Sequence, residues 1–95
     1  MKIEFDPVIE FDPVKDQINL RKHGVSLAAA AEMDLERAIL VEDRRFDYGE
    51  TRFVAYAPIG GRLHFLWFTM RGTVLRAIGL GRANRRERQR YGQSG

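Results

Sequence analysis

Two neighbouring residues, Lys22 and His23, are the first candidates for chemistry in this chain of 95 residues. A histidine side chain titrates near neutral pH, so His23 is suited to carry a proton in acid–base catalysis. The alternative is structural, because both residues come at the expected end of a helix, just before Gly24. Positive charges there interact favourably with the helix dipole. Spacing alone favours this structural interpretation over the catalytic one.

A carboxylate and a guanidinium stand two residues apart, at Glu50 and Arg52. Residues with this spacing share one face of a β-strand. The pair is therefore either an ordinary surface ion pair of small energetic value or a catalytic carboxylate beside a cation. Arg71, at a predicted hairpin tip, and Arg82, after the last strand, are further cations that could converge on Arg52. A solvated surface position is the alternative for both.

Charge is divided unevenly along the chain. Residues 1–50 contain 7 Lys and Arg against 12 Asp and Glu, whereas residues 51–95 contain 9 Arg and a single acid, Glu87. The guanidinium group forms paired hydrogen bonds with phosphate or carboxylate, so the second half is suited to bind a polyanion or an acidic protein. Four arginines of a predicted last helix are assigned to RNA or partner binding: Arg85, Arg86, Arg88 and Arg90. A plain exposed helix is the alternative.

The composition excludes several other classes of function. The sequence has no cysteine, which rules out disulfides, thiolate metal sites and cysteine catalysis. Its two histidines are not at ligand spacing with acids, so no metal and no other cofactor is expected. No glycine-rich phosphate loop is present. With no long apolar run and no secretory signal, we expect no membrane contact and a cytoplasmic location.

The pattern of apolar residues predicts the elements that position these side chains. Three strands follow one another over residues 52–58, 62–70 and 73–80. The middle strand is apolar on both faces, which is typical of a central strand with cover on each side. The other predicted elements are a strand at 9–11, helices at 13–23 and 27–33, a strand at 38–42 and a helix at 85–91. The fold class is α+β, a mostly antiparallel sheet with the order β-α-α-β-β-β-β-α.

The chain begins with a hexamer that occurs twice in succession, at residues 3–8 and 9–14. Such a unit is too short to be a structural repeat, and only the second copy leads directly into the first predicted helix. Because the chain has 95 residues, we expect a single domain with one core. In it, residues 1–8 are a peripheral duplication, residues 9–91 form the domain itself and residues 92–95 fray.

Six short motifs follow one another along the chain. They are Asp12-Pro13 with Lys15, Asn19-Leu20-Arg21-Lys22-His23-Gly24-Val25-Ser26, Asp43 with Gly49-Glu50 and Arg52, Gly61-Arg62-Leu63, Phe68-Thr69 with Arg71-Gly72, and Arg85-Arg86-Glu87-Arg88 with Arg90-Tyr91. In this order they resemble the BrnT family, the toxin half of bacterial type II toxin–antitoxin pairs. The resemblance extends from about residue 9 to residue 91, and the segment 19–26 is its most specific part.

The resemblance implies a RelE-like fold and a metal-independent endoribonuclease that inhibits translation. It also implies a ribbon-helix-helix antitoxin, BrnA, which neutralises the toxin and carries the complex to operator DNA. The active-site residues carried over position by position are Lys22, His23, Glu50, Arg52 and Arg71. One position departs from the family, whose arginine at the end of the last strand falls on Gly81 here. Arg82 follows it and is included as a substitute.

Cleavage of RNA by such a site needs few groups. A base takes the 2′-hydroxyl proton, an acid protonates the leaving 5′-oxygen, and cations stabilise the charge on phosphorus. Either Glu50 or His23 serves as the base, and the other or Lys22 as the acid; the sequence does not choose. Two alternatives to an active toxin remain. One is a catalytically weak or inactive module that binds the antitoxin and acts in autoregulation, and the other is a general nucleic-acid-binding domain.

Overall fold

Five strands, two α-helices and two short 3₁₀ helices make up residues 7–92, the part of the chain that this computed structural model describes. The strands are β1 (Val8–Glu10), β2 (Ile39–Asp43), β3 (Arg52–Ile59), β4 (Arg62–Arg71) and β5 (Val74–Arg82); the α-helices are α1 (Pro13–His23) and α2 (Arg85–Tyr91); the 3₁₀ helices are Leu27–Glu32 and Leu35–Arg37. Every predicted strand is present, with bounds that differ by one or two residues.

The five strands form one sheet in the order β1-β5-β4-β3-β2. The α+β class is confirmed, but the prediction of a mostly antiparallel sheet is corrected, because the sheet is mixed. Strands β2 to β5 pair antiparallel, whereas β1 runs parallel to β5, with Val8 opposite Val74 and Glu10 opposite Arg76. A three-residue strand carries no local signal for its partner, so sequence patterns did not reveal the parallel pair.

The predicted second α-helix is also corrected. Residues Leu27–Glu32 form a 3₁₀ helix, and a second 3₁₀ helix follows at Leu35–Arg37. The helix order is therefore α, 3₁₀, 3₁₀, α rather than two α-helices before the last strands. So short a run gains little from cooperative α-helix formation, and it is held at its start by side chains instead. Asp16 of α1 accepts hydrogen bonds from the Ser26 hydroxyl and the Leu27 N–H.

The predicted bounds of α1 and α2 are confirmed, and each helix has a cap at its start. Asp12 begins α1 by accepting a hydrogen bond from the backbone two residues on, and Gly24 ends it with a φ of 73°. Asn84 and Glu87 form a reciprocal capping box at the start of α2. Because cap geometry is set by local chemistry, the ends of these helices were predictable from the sequence without knowledge of the tertiary fold.

The two ends of the chain fall largely outside the described residues. The segment predicted to be peripheral is residues 1–8, of which residues 1–6 lie outside the described part. Val8, the last residue of that hexamer, belongs to β1, which begins one residue earlier than predicted. Residues 93–95, predicted to fray, also lie outside the described part.

The core lies on one face of the sheet. Leu66, Phe68, Leu75 and Leu80 are fully buried there under Leu27 of the first 3₁₀ helix. The opposite face is covered only in part, by α1 along β5 and by α2 near the β3–β4 end of the sheet. The expectation that helices cover both faces of β4 therefore holds fully for the core face alone, and the partly open face carries the candidate site.

Asn19 fastens α1 to the edge of β5. Its side chain is buried and bonds both backbone groups of Leu80, accepting from the N–H at 3.1 Å and donating to the carbonyl at 2.8 Å. It also donates to the Val25 carbonyl at 2.9 Å. Pairing of β5 with β1 ends at Arg76, so the amide continues along the strand edge that β1 leaves free. Residues three and four positions on share a helix face, so this anchor directs Lys22 and His23 over the sheet.

Replacing Asn19 with leucine is expected to lower the free energy of unfolding by about 2–5 kcal/mol. The change leaves the buried N–H and carbonyl of Leu80 without partners, and each unsatisfied group costs roughly 1–3 kcal/mol. Urea unfolding followed by circular dichroism measures the loss. The control is Gln17→Leu, at an exposed position of the same helix, where a change within about 0.5 kcal/mol is expected. Similar losses in both variants would show that Asn19 is not an anchor.

Candidate active site

A groove of about 950 Å³ lies on the open face of the sheet, between α1 and the end of β2. Its floor is formed by the aromatic rings of Tyr56, Phe65 and Trp67. Its charged lining residues are the cations Lys15, Lys22, Arg44, Arg45 and Arg52 and the carboxylates Glu42, Asp43 and Glu87, and His23 stands at its edge. Cations outnumber carboxylates, so the groove is suited to an anionic ligand.

The imidazole and a guanidinium stand over neighbouring rings of the floor. The His23 ring meets Phe65 edge-on, with ring centroids 5.3 Å apart. The Arg52 guanidinium lies 5.0 Å from the Trp67 ring centre and 4.1 Å from that of Tyr48. Phe65 and Trp67 are two residues apart on β4, a distance of roughly 7 Å along a strand. A proton carrier and a cation held between two rings therefore face the same stretch of the groove.

Glu50 links two of the predicted arginines. Its Oε2 atom accepts a hydrogen bond from Nε of Arg52 at 3.0 Å, and its Oε1 atom lies 3.7 Å from Nη2 of Arg71. The structure thus brings Glu50, Arg52 and Arg71 together, although only Arg52 lines the groove. Both carboxylate oxygens face cations, which suits Glu50 to orient Arg52 more than to accept a proton.

His23 has the properties of a base at neutral pH. Partial burial, and then the neighbouring charge of Lys22, lower its pKa below the ordinary 6.5. The residue is exposed overall, but one edge of the ring is shielded from water by Phe65 and the backbone of β5. Nδ1 and Cγ are the ring atoms nearest Gly81, so Nε2 lies on the far side of the ring. The neutral imidazole can accept a proton there.

Gly81 makes room for this histidine. A Cβ atom at position 81 would lie 2.7 Å from Cε2 of Phe65 and 2.9 Å from Nδ1 of His23, closer than real contacts allow. The absence of a side chain where the BrnT pattern has arginine is therefore matched by close packing of His23 on the strand. Arg82 cannot fill the same space, because adjacent residues of a strand point to opposite faces.

Gly81→Ala is expected to displace His23 or Phe65, raise the pKa of His23 toward 6.5 and cost about 1–3 kcal/mol of stability, as overpacking does. The pKa rises because the displaced ring regains water. The matched control is Gly79→Ala, two residues earlier. A Cβ atom there would lie 3.5 Å from Cε3 of Trp67, which is an ordinary contact. NMR titration of the imidazole and urea unfolding report both effects. An unchanged His23 pKa in Gly81→Ala would contradict the packing argument.

A buried carboxylate organises the loop after β2. Asp43 accepts two hydrogen bonds from the Arg45 guanidinium, at 2.8 and 3.0 Å, and one from the Tyr48 hydroxyl at 2.9 Å. The Arg45 hydrogen bonds hold the pKa of Asp43 well below its usual range. This network holds the ring of Tyr48 against Arg52. Sequence reasoning assigned Asp43, Tyr48 and Trp67 no role in the site; the signal available was an acid directly after an apolar strand, followed by Arg and Tyr.

The remaining predicted residues lie away from the groove. Arg82 and Arg88 line a second cavity beyond α2, so the structure does not bring Arg82 together with His23. Arg85, Arg86 and Arg90 are exposed on α2 and line neither cavity.

Residues 7–92 contain neither a metal-binding cluster nor a membrane-spanning helix. Among residues 7–92, no three or more of the His, Asp and Glu side chains are grouped to hold a metal ion. Within the same range, no helix has the length and apolar character needed to cross a membrane.

The fold and the groove define a small α+β protein that presents a histidine, a lysine and arginines over an aromatic floor. The family described as the ribonuclease toxin BrnT of type II toxin–antitoxin systems matches residues 11–87. The chain therefore belongs to the BrnT family of ribonuclease toxins, and the resemblance found in its sequence motifs is confirmed. Membership implies a protein antitoxin as its partner. A search of curated proteins found no match.

Proposed function

We propose that this protein is a metal-independent endoribonuclease whose groove cleaves RNA, and that it inhibits translation as the toxin of a type II pair. In this proposal a BrnA-like ribbon-helix-helix antitoxin neutralises it and carries the complex to operator DNA. The observation that carries the catalytic part is the juxtaposition of His23 over Phe65 and Arg52 over Trp67 in one cationic groove. Family membership supports the toxin role.

The groove suits single-stranded RNA better than a duplex. Partly exposed aromatic rings at its floor offer faces on which bases stack, and cations along both walls follow a phosphate backbone. Lys15 and Lys22 on α1 supply one wall, while Arg44 and Arg45 after β2 supply the other. A duplex keeps its bases paired and stacked inside, so the aromatic floor would be left unused.

The proposed reaction is an in-line attack within the RNA strand. Nε2 of His23 takes the proton of the 2′-hydroxyl, and the oxygen attacks the adjacent phosphorus. Arg52, held by Glu50 and by the ring of Tyr48, stabilises the additional negative charge that develops there. The bond from phosphorus to the 5′-oxygen breaks, and Lys22 protonates that oxygen. The products are a 2′,3′-cyclic phosphate and a 5′-hydroxyl end.

A second candidate function is an antitoxin-binding module with weak or no cleavage. The observation that favours it is the missing family arginine: Gly81 has no side chain and Arg82 points away from the groove. Arg52 then has to supply alone the positive charge that two arginines would share. The two functions differ in the cleavage rate of the purified protein and not in its binding of the antitoxin.

The purified protein without antitoxin is expected to cleave single-stranded RNA equally well in EDTA and in Mg²⁺, because the proposed proton carriers and cations are all side chains. Its fragments should carry 2′,3′-cyclic phosphate ends, detected by mass spectrometry. Cleavage that EDTA abolishes and Mg²⁺ restores would overturn the metal-independent mechanism. Absence of cleavage in both conditions, with intact antitoxin binding, would favour the inactive module.

A further inference from the structure

A second cavity of about 730 Å³ lies on the other side of α2 from the groove, near the β3–β4 turn. We call it the arginine cavity. Four arginines line it, together with an apolar floor and a pair of tyrosines: Arg37, Arg62, Arg82, Arg88, Pro58, Leu63, Ala83, Tyr56 and Tyr91. Arg62, Leu63, Arg88 and Tyr91 belong to motifs that resemble the family, but the proposed reaction does not use this cavity.

The charged residues that line the arginine cavity are all positive. No carboxylate is among its lining residues. Arg37 has an ion pair with Asp34 at 3.5 Å, but Arg62, Arg82 and Arg88 form no ion pair with any carboxylate of residues 7–92. In the groove, by contrast, the arginines are paired with Glu42, Asp43 and Glu50. The arginine cavity therefore has room for carboxylates or phosphates that the described chain does not supply.

The other lining residues favour a ligand with carboxylates and aliphatic groups over a nucleic acid. Tyr56 and Tyr91 stack on each other, with ring centroids 4.1 Å apart and planes 14° apart, so each ring has one face already covered. The Tyr56 hydroxyl donates to Glu87 at 3.0 Å, which ties the pair to α2. The remaining floor is Pro58, Leu63 and Ala83, which offers contacts to aliphatic side chains and no ring on which a base can stack.

We propose that the arginine cavity binds a segment of a partner protein in which acidic residues are interspersed with aliphatic ones. Its carboxylates would pair with the guanidinium groups of Arg62 and Arg82, and its aliphatic side chains would cover Leu63. Arginine–carboxylate pairs are often bidentate, which gives orientation as well as attraction. Tyr56 lines both the cavity and the groove, whereas His23 lines the groove alone, so a partner confined to the cavity leaves His23 uncovered.

The test uses a short fluorescein-labelled peptide of alternating Glu and Leu, and a labelled single-stranded RNA as the competing class of ligand. Fluorescence anisotropy at low salt measures both with the intact protein. Arg62→Ala combined with Arg82→Ala is expected to weaken peptide binding about 10–100-fold, because each change removes one charge-assisted pair with a peptide carboxylate. Arg21→Glu changes the net charge by the same two units at an exposed position of α1 that lines neither cavity. It should change peptide affinity less than about threefold, as isolated surface charges do.

Three results would overturn the proposal. The first is no peptide binding by the unaltered protein. The second is an equal loss of peptide affinity in the Arg62/Arg82 variant and in Arg21→Glu, which would indicate attraction by net charge alone. The third is loss of RNA binding in the Arg62/Arg82 variant with peptide binding unchanged, which would make the cavity part of an RNA path. Arg21, Arg62 and Arg82 are exposed, so circular dichroism should show folded protein in every case.

Discussion

Replacing His23 with alanine is expected to lower the single-turnover rate of RNA cleavage by about 10²–10⁴-fold, the usual contribution of a positioned acid or base. RNA affinity should change little, because the cations of the groove remain. In the unaltered protein the rate should rise with pH and level off above a midpoint below 6.5, since burial and Lys22 lower the pKa of His23. Activity is lost as pH falls through that lowered value, because the protonated imidazole cannot accept a proton.

The control for His23 is Arg21→Ala. Arg21 is exposed on the same helix and does not line the groove, so its loss should leave both the rate and the pH midpoint unchanged. A His23→Ala protein that retains cleavage within a few-fold of the original rate would exclude His23 as the base. Glu50 would then become the candidate, with Glu50→Gln as the next variant.

Replacing Arg52 with alanine is expected to lower the cleavage rate by about 10²–10³-fold, the typical effect of removing one preorganised donor to a developing charge. Affinity for RNA should fall only slightly. Its guanidinium is held by Glu50 and by two aromatic rings, so it is positioned before the substrate arrives. Single-turnover cleavage and binding at several salt concentrations separate these two quantities.

The matched control for Arg52 is the double change Arg85→Ala and Arg86→Ala on the exposed face of α2. If these arginines contact phosphates, RNA affinity should fall and its salt dependence should flatten by roughly 0.7 in slope for each lost contact. The cleavage rate at saturating RNA should be unchanged. Equal losses of affinity with equal rates in the two proteins would make Arg52 only another phosphate contact.

Features set by local chemistry were predictable from the sequence. Caps such as Asp12 and Gly24 act within a few residues. The three consecutive strands β3, β4 and β5 are marked by glycine turns between apolar runs. The parallel pairing of β1 was not predictable, because it depends on contacts between residues more than sixty positions apart. The 3₁₀ geometry of Leu27–Glu32 was missed for a similar reason: Asp16, which holds its start, lies in another helix.

The candidate site could be predicted from the sequence only for the residues that lie in family motifs. The resemblance selected Lys22, His23, Glu50, Arg52 and Arg71, and the structure places them on one side of the molecule. It could not select Tyr48, whose contact with Arg52 depends on how the loop folds around Asp43. It also suggested Arg82 as a replacement at position 81, but a shift of one residue along a strand reverses the direction of the side chain.

The attachment of both β1 and Asn19 to β5 has a consequence for the order in which the chain folds. During synthesis β1 and α1 are made before β5, which is the last strand among the described residues. Until β5 is available, β1 has no strand to pair with and Asn19 has no backbone edge to bond, so α1 is not fixed over the sheet. Contacts this distant in sequence also slow folding. A nascent chain therefore carries His23 and Arg52 before it holds them together, and the groove is completed only after β5 has been made.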